Sequence, residues 1–164
     1  TRWVRAWDLA GTDKATAPFT AGVKMGKTPD GRYCIGDVCR IQGTPHETER
    51  LIVATASQDG TSVKGSLPQD PGQAGKAQVQ YLVKQLAGYT YTFSPESGDK
   101  ETRAEPLASQ AQAGNVFLLE GEWNTAFLDE ATTFPRGKFK DQVDAASRAF
   151  SELVGGSNYT LQNV

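Results

Sequence analysis

Trp3-Val4-Arg5-Ala6-Trp7-Asp8-Leu9-Ala10 reads as a central β-strand that carries one carboxylate near its far end. Trp3, Val4, Ala6, Trp7 and Leu9 are aromatic, β-branched or apolar, the composition of a strand covered on both faces. Asp8 interrupts that run near its carboxyl end, where open α/β sheets place their ligand sites. A carboxylate there is costly to bury unless cationic groups meet it.

Outward from this strand, a polar loop spans 11–18 and a second strand 19–27, with Phe19, Ala21, Val23 and Met25 alternating to one side. Pro29-Asp30-Gly31 supplies a turn, since Pro fixes φ and Gly accepts a positive φ. A third strand over 32–42 completes a meander. Thr44-Pro45-His46-Glu47 opens a helix, with Thr44 as N-cap and Pro45 at the first helical position. Leu51, Ile52 and Ala56 form its apolar face. A short fourth strand (63–69) ends in Asp70-Pro71-Gly72, and a helix over 73–87 presents Val79, Leu82, Val83 and Leu86 at helical spacing. A fifth strand (89–93) follows. Then come a helix over 100–113, a short extended piece at 116–119, helical turns at 123–131 and a last helix at 140–154, closed by Gly155-Gly156. Three strands, helix, strand, helix, strand, then helices is the element order of the ribonuclease-H-like fold. The expected architecture is α/β: a central mixed sheet of five strands, or slightly more, with helices on both faces.

A chain of 164 residues suits one well-cored domain, read here as residues 1–155 followed by a polar tail, 156–164, expected to be mobile. The charged fraction of 22% and hydrophobic fraction of 38% are those of an ordinary globular protein. No apolar run approaches ~18 residues, so no membrane span is expected, and the amino terminus lacks the apolar region of a signal peptide. The start inside a strand points to a piece of a longer protein. A net charge of −2 does not advertise a nucleic-acid binder, although enzymes that cut nucleic acid often keep acidic centres inside a basic rim. Cys34 and Cys39 are the only cysteines; their odd spacing on one strand points them to opposite faces, and two lone thiols fit a reducing compartment. His46 alone cannot build a histidine metal site and is read as an exposed helix-start residue.

The carboxylates carry the chemistry. The first and fourth strands of such a sheet are parallel neighbours, so Asp8 and Asp70 converge at their carboxyl ends. The last helix offers Asp141 and Asp144, about 60° apart on the helical wheel and off the apolar face of Val143, Ala146, Phe150, Leu153 and Val154. Carboxylates gathered at one point repel unless divalent cations sit between them, and hard oxygen ligands select Mg²⁺ or Mn²⁺. Two such ions about 3.5–4 Å apart activate water and stabilise a leaving oxygen in phosphodiester cleavage. Each aspartate also has an ordinary reading: Asp70 as a turn or cap residue before Pro71-Gly72, and Asp141 as a helix-dipole partner. Spacing alone leaves both readings open.

Longer stretches add to this. Trp7-Asp8-Leu9-Ala10, Gln69-Asp70-Pro71-Gly72-Gln73-Ala74-Gly75-Lys76, Leu86-Ala87-Gly88-Tyr89 and Gly98-Asp99-Lys100-Glu101-Thr102-Arg103-Ala104 form one set. Gly114-Asn115-Val116, Phe134-Pro135 and Asp141-Gln142-Val143-Asp144-Ala145 complete it. In this order, across almost the whole chain, they resemble the nuclease domain of bacteriophage large terminase subunits. The resemblance implies a ribonuclease-H-like endonuclease with two Mg²⁺ or Mn²⁺ ions. It would cut concatemeric double-stranded phage DNA during genome packaging, with little sequence specificity, in the host cytoplasm and not as a secreted protein. Implied partners are the packaging ATPase domain of the same full-length protein, the portal and the small terminase subunit. No Gly-x-x-x-x-Gly-Lys-Ser/Thr loop occurs, so the chain resembles the isolated nuclease half.

Carried over by position, Asp8 is the first metal ligand, Asp70 the second and Asp141 the helix ligand, with Asp144 able to share the coordination. Lys100 and Arg103, one helical turn apart, are implied phosphate contacts, and Lys76 is a weaker one. Trp123 and Phe127 read as core. One position departs from the family pattern, which typically has two adjacent aspartates before Gln-Val-Asp-Ala. Lys140 replaces the first, and its ammonium is expected to compete with a cation for the carboxylates. Two alternatives stand beside the terminase reading. One is a related ribonuclease-H-like resolvase or strand-transfer enzyme; the other is a catalytically weakened module that docks on DNA or the portal.

Overall fold

The computed structural model of the chain describes residues 1–10 and 18–159; most of the expected polar loop and the end of the expected tail lie outside the described residues. The strands are β1 (Arg2–Asp8), β2 (Thr20–Lys27), β3 (Tyr33–Ile41), β4 (Lys64–Pro68), β5 (Tyr91–Ser94) and β6 (Val116–Leu118). The helices are α1 (Pro45–Asp59), α2 (Gln73–Gln85), α3 (Lys100–Gln112), α4 (Asn124–Thr133) and α5 (Asp141–Tyr159). Strand order is β5-β4-β1-β2-β3-β6. The β1–β2 and β2–β3 pairs are antiparallel, and β1–β4, β4–β5 and β3–β6 are parallel. This is the expected mixed α/β sheet. The sixth strand comes from the short extended piece at 116–118, which pairs with the outer edge of β3.

Strand β1 lies inside the sheet, and its alternation sorts the two cores. Val4 and Ala6 join Ala21, Val23 and Met25 of β2 under the small residues Ala145, Ala146 and Ala149 of α5, with Phe150 and Leu153 completing that layer. Small side chains on α5 let the helix approach the sheet closely. On the opposite face Trp7 and Leu67 pack with Ile52 and Ala56 of α1 and Leu82 and Leu86 of α2. Trp7 lies flat over Gly22; a Cβ at that glycine would come within 2.8 Å of the indole ring.

Arg5, between the two tryptophans, is almost fully buried. Its Nε and Nη2 donate to the two carboxylate oxygens of Asp59 at 2.7 Å each, and Nη2 also reaches Asp37 at 2.7 Å. Burial works against the Arg5 charge, but Asp59 more than offsets it and holds the guanidinium above its ordinary range. This pair ties the central strand to the carboxyl end of α1.

Four expectations change. A register shift between Lys24 and Met25 leaves Gly36 as the extra residue of a bulge. Tyr33 and Ile35 before it, and Val38 after it, therefore share the α5 face. Cys34 and Cys39 consequently fall on the same side of β3, not on opposite sides. They stay unpaired because five residues of strand separate them by roughly 16 Å. Gly155-Gly156 does not end the last helix, which continues to Tyr159; glycine inside a helix costs only about 1 kcal/mol. Val83 and Val154, expected on apolar faces, are exposed. Asp141 and Asp144, expected off the core, are buried because the first two turns of α5 are covered all round.

Arg5→Met should lower the unfolding free energy by about 3–5 kcal/mol, because the buried Asp59 carboxylate loses both of its close hydrogen bonds and keeps, among the described residues, only Lys24, at 4.0 Å. In urea titrations, Arg5→Met with Asp59→Leu should recover most of that loss. A double variant as unstable as the single one would show that the ion pair is not the tie described.

Candidate functional site

The site is built where β1 ends and α5 begins. Asp8 is the last residue of β1, and Asp141 and Asp144 occupy the first turn of α5. Three observations explain why α5 starts there. The Phe19 amide donates to Asp141 Oδ2 at 2.9 Å. The buried carboxylate of Glu130, on α4, accepts from the Val143 amide at 2.6 Å and from Gln142 Nε2 at 3.0 Å. Asp144 N donates to the Lys140 carbonyl at 3.0 Å. Acidic groups at a helix amino terminus satisfy its free N–H groups and complement its dipole. Burial pushes the Glu130 carboxyl up, while its bonds from Val143 and Gln142 pull it back.

Opposite this corner, α3 begins at Lys100, capped by Asp99, whose side chain accepts from the Thr102 amide at 2.7 Å. The cap aims Lys100 into the carboxylates. Its Nζ lies 2.7 Å from Asp8 Oδ2, 3.2 Å from Asp141 Oδ1 and 3.8 Å from Asp144 Oδ2. The side chains of Asp141 and Asp144 are 4% and 2% exposed, that of Asp8 14%, and that of Lys100 32%, so the cluster is open to solvent mainly on the lysine side. Arg103, one turn further along α3, grips Asp144 with two bonds, Nε–Oδ1 at 3.0 Å and Nη2–Oδ2 at 2.8 Å. It also pairs with Glu96 at 2.9 Å and donates to the Gly98 carbonyl at 2.6 Å.

Burial pushes the Asp8 carboxyl up to about 8; Lys100 opposes that rise, and the nearby carboxylates of Asp144 and Asp141 add to it. For Lys100, burial disfavours the charge, but Asp8, Asp141 and Asp144 outweigh it and hold the ammonium above its ordinary range. The hydrogen bonds to Asp144 raise Arg103 as well.

The structure thus gathers Asp8, Asp141, Asp144, Lys100 and Arg103. Asp70 stands apart. Extending the β1–β4 register sets Asp8 level with Pro68, so Asp70 lies two residues beyond that row, exposed. The start of α2 is pressed against it: a Cβ on Gly75 would sit 2.0 Å from the Asp70 carbonyl oxygen. Lys76 is exposed on α2. The ammonium among the carboxylates belongs to Lys100 and not to Lys140, which is half-buried and forms no ion pair among the described residues. His46 is exposed, and Phe127 is core. Sequence reading overlooked Glu130, although Phe127 and Glu130 share one helix face at i, i+3 and an acid on an apolar face is a signal.

As a ligand set, these groups are hard oxygens without thiolate or imidazole, which suits Mg²⁺ or Mn²⁺. Their common neighbour is already a cation. Among the described residues, no three carboxylate, histidine or cysteine side chains are drawn together as a ready metal cage; the aspartates are spread around the ammonium instead.

The sequence profile of the terminase RNaseH-like domain matches residues 5–153. No curated protein matches the chain. Among solved structures, the fowlpox virus resolvase in complex with its Holliday junction DNA substrate superimposes with a TM-score of 0.59 at 9% identity, covering 93% of this chain and 97% of that one. The yeast mitochondrial Holliday junction resolvase gives 0.55 at 14% identity, covering 100% and 85%. At such identities the likeness is one of fold.

The raised Asp8 carboxyl makes stability depend on pH in a stated direction. Its contribution is full below about 3.8 and is lost as pH rises through about 8. In buffer free of divalent ions, the stability difference between the wild type and Asp8→Asn should therefore shift against the wild type across that window and level off above it. Urea unfolding at several pH values measures it; a difference that stays constant would refute the assignment.

Proposed function

Since the chain belongs to the terminase RNaseH-like domain family, we propose that it is a divalent-metal-dependent endonuclease that cuts double-stranded DNA. The observation that carries this reading is the single cationic point shared by Asp8, Asp141 and Asp144 at the carboxyl end of the central strand. In this reading, those three carboxylates hold Mg²⁺ or Mn²⁺, and Asp70, two residues past the end of the neighbouring strand, is a further ligand. Divalent ions in such a site supply a hydroxide nucleophile from water and stabilise the departing oxygen of the phosphodiester.

The protein's own groups do the rest. Asp8 is held by a strand paired on both sides, and so offers a carboxylate that does not drift. Phe19 N and Glu130 fix the start of α5, and Arg103 fixes the Asp144 carboxylate. Lys100 offsets part of the cluster's negative charge and keeps it compact, and it is the charge against which a divalent ion competes. Lys100 and Arg103, implied by the resemblance as phosphate contacts, are both engaged by the aspartates of the cluster. The biological setting that fits is cutting of concatemeric phage DNA during packaging, in the host cytoplasm. The ATPase domain of the same protein, the portal and the small terminase subunit would be partners there. The engagement of Lys100 with all three carboxylates also favours a second reading, a DNA or portal docking module whose carboxylates stay neutralised.

Nicking of supercoiled plasmid with Mg²⁺ or Mn²⁺ separates the two. The nuclease reading expects cleavage by the wild type and a loss of about 100-fold or more in Asp8→Asn, Asp70→Asn and Asp141→Asn. Binding of plasmid without cleavage under either metal would favour the docking module. Lys100→Met should tighten binding of Ca²⁺ by roughly tenfold, equivalent to about 1.4 kcal/mol, in isothermal calorimetry. Unchanged affinity would mean that the lysine does not compete for the site.

A further inference from the structure

We infer that the aromatic pair Phe19–Phe139, with Arg40 and Lys138 stacked on it, is the rim on which the phosphate backbone of the DNA docks. This rests on the nuclease reading and adds to it a contact surface that the carboxylate cluster does not include.

Near that cluster, the obvious cations are already spent. Lys100 and Arg103 are paired with aspartates. Arg148 is paired with Glu96 and bonded to Ser66 and to the Leu67 and Ser94 carbonyls. Arg40 and Lys138 are different. Both are exposed, and among the described residues neither has an ion-pair partner or a hydrogen-bond acceptor for its side chain. Each is instead held against a ring. The Arg40 guanidinium carbon lies 4.1 Å from the Phe19 ring centroid, and Lys138 Nζ lies 5.1 Å from the Phe139 centroid. The two rings meet edge to face, 4.9 Å apart. Stacking uses the flat side of a guanidinium and leaves its edge N–H donors for another ligand. Both cations are therefore positioned by rings, without a direct ion pair; Arg40 also feels the charge of Glu130 across the groove.

The fold fixes where they are held. Asp8 pairs with Ala21, and Ala21 pairs with Arg40, so the three lie in one row across the sheet. Directly paired residues share a face, and two strand spacings separate Arg40 from Asp8 by about 10 Å. The same Phe19 that supports Arg40 donates its amide to Asp141, so the rim is fastened to the cluster through a single residue. Arg40, Lys138 and Phe139 line an open groove of about 580 Å³. Its other wall, on and before α4, carries Glu122 and Asp129, and Glu130 in the same wall has both oxygens committed to α5. These acids disfavour phosphate inside the groove itself, so the contact proposed is with the exposed outer edge formed by Arg40 and Lys138. A ligand that fits is a polyanion passing from this rim to Asp8, and a DNA strand has that shape and charge.

The test is fluorescence anisotropy of a labelled DNA duplex with the full chain in EDTA, over a series of salt concentrations. Each phosphate contact contributes about one to the slope of log affinity against log salt. Arg40→Gln with Lys138→Gln should lower that slope by about two and weaken binding on the order of tenfold to a hundredfold at ~0.1 M salt. Each single variant should remove about half the slope change, and Arg40→Lys should retain most of it; these carry the test if the double variant melts early. Lys64→Gln with Lys84→Gln, an equal change of charge at exposed positions elsewhere, should leave the slope near the wild-type value. A rim variant that binds like the wild type overturns the inference and leaves the nuclease reading standing. So does a control pair that loses as much as the rim pair. A wild type that binds no DNA overturns both.

Discussion

Three carboxylates can share one partly buried corner only if positive charge is placed among them, and Lys100 is that charge. Much of the surrounding architecture serves to bring the two sides together. The strand order sets β1 in the interior of the sheet, so that Asp8 projects from a fixed point. Glu130 and the Phe19 amide set the first turn of α5, and the Asp99 cap sets the first turn of α3. Arg103 then closes the contact between the two helices by holding Asp144. Loss of any one of these supports would leave like charges facing each other in a poorly solvated space.

A comparison with Arg5 shows what distinguishes a site from a strut. Both Arg5 and Asp8 are charged residues that interrupt the apolar run from Trp3 onward, and both found partners. The main partner of Arg5 is Asp59, a carboxylate nearly as buried as itself and met by two bonds, with the more exposed Asp37 as a second acceptor. Such a pair is a fixed internal tie. The partner of Asp8 is a lysine with a third of its side chain exposed, which meets Asp8 through a single bond and divides its charge among three acceptors. Contact of that kind is exchangeable, because water and dissolved ions reach it from one side.

The element order, the central strand and the meeting of Asp8 with the last helix were legible in the sequence because they depend on apolar periodicity and on charges that interrupt it. What was not legible depended on neighbours distant in sequence. That Asp141 and Asp144 are buried follows from α3 and α4 covering the start of α5, which no helical wheel contains. The ammonium expected from Lys140 comes from Lys100, because the cap at Asp99 and not proximity in sequence decides which lysine reaches the cluster. Asp70 was placed by strand adjacency, but the turn after Pro68 leaves it exposed, two residues beyond the row of Asp8. The bulge in β3 had no signature beyond a single glycine, Gly36, whose absent side chain makes room for Trp3.

That bulge sets the phase of everything after it on the strand. A β-strand behaves like a two-state register: each added residue exchanges inside for outside, and two restore it. Gly36 is one such exchange, and it turns Val38 towards α5 and Arg40 towards the side of Asp8. The outer half of β3 is thus locked to the site by parity alone, independently of which side chains it carries. Related chains that keep a cation at this place can therefore lengthen or shorten β3 beyond the turn by two residues, or by none. A single-residue change would carry the arginine through the sheet to the wrong side, even if every neighbouring residue were kept.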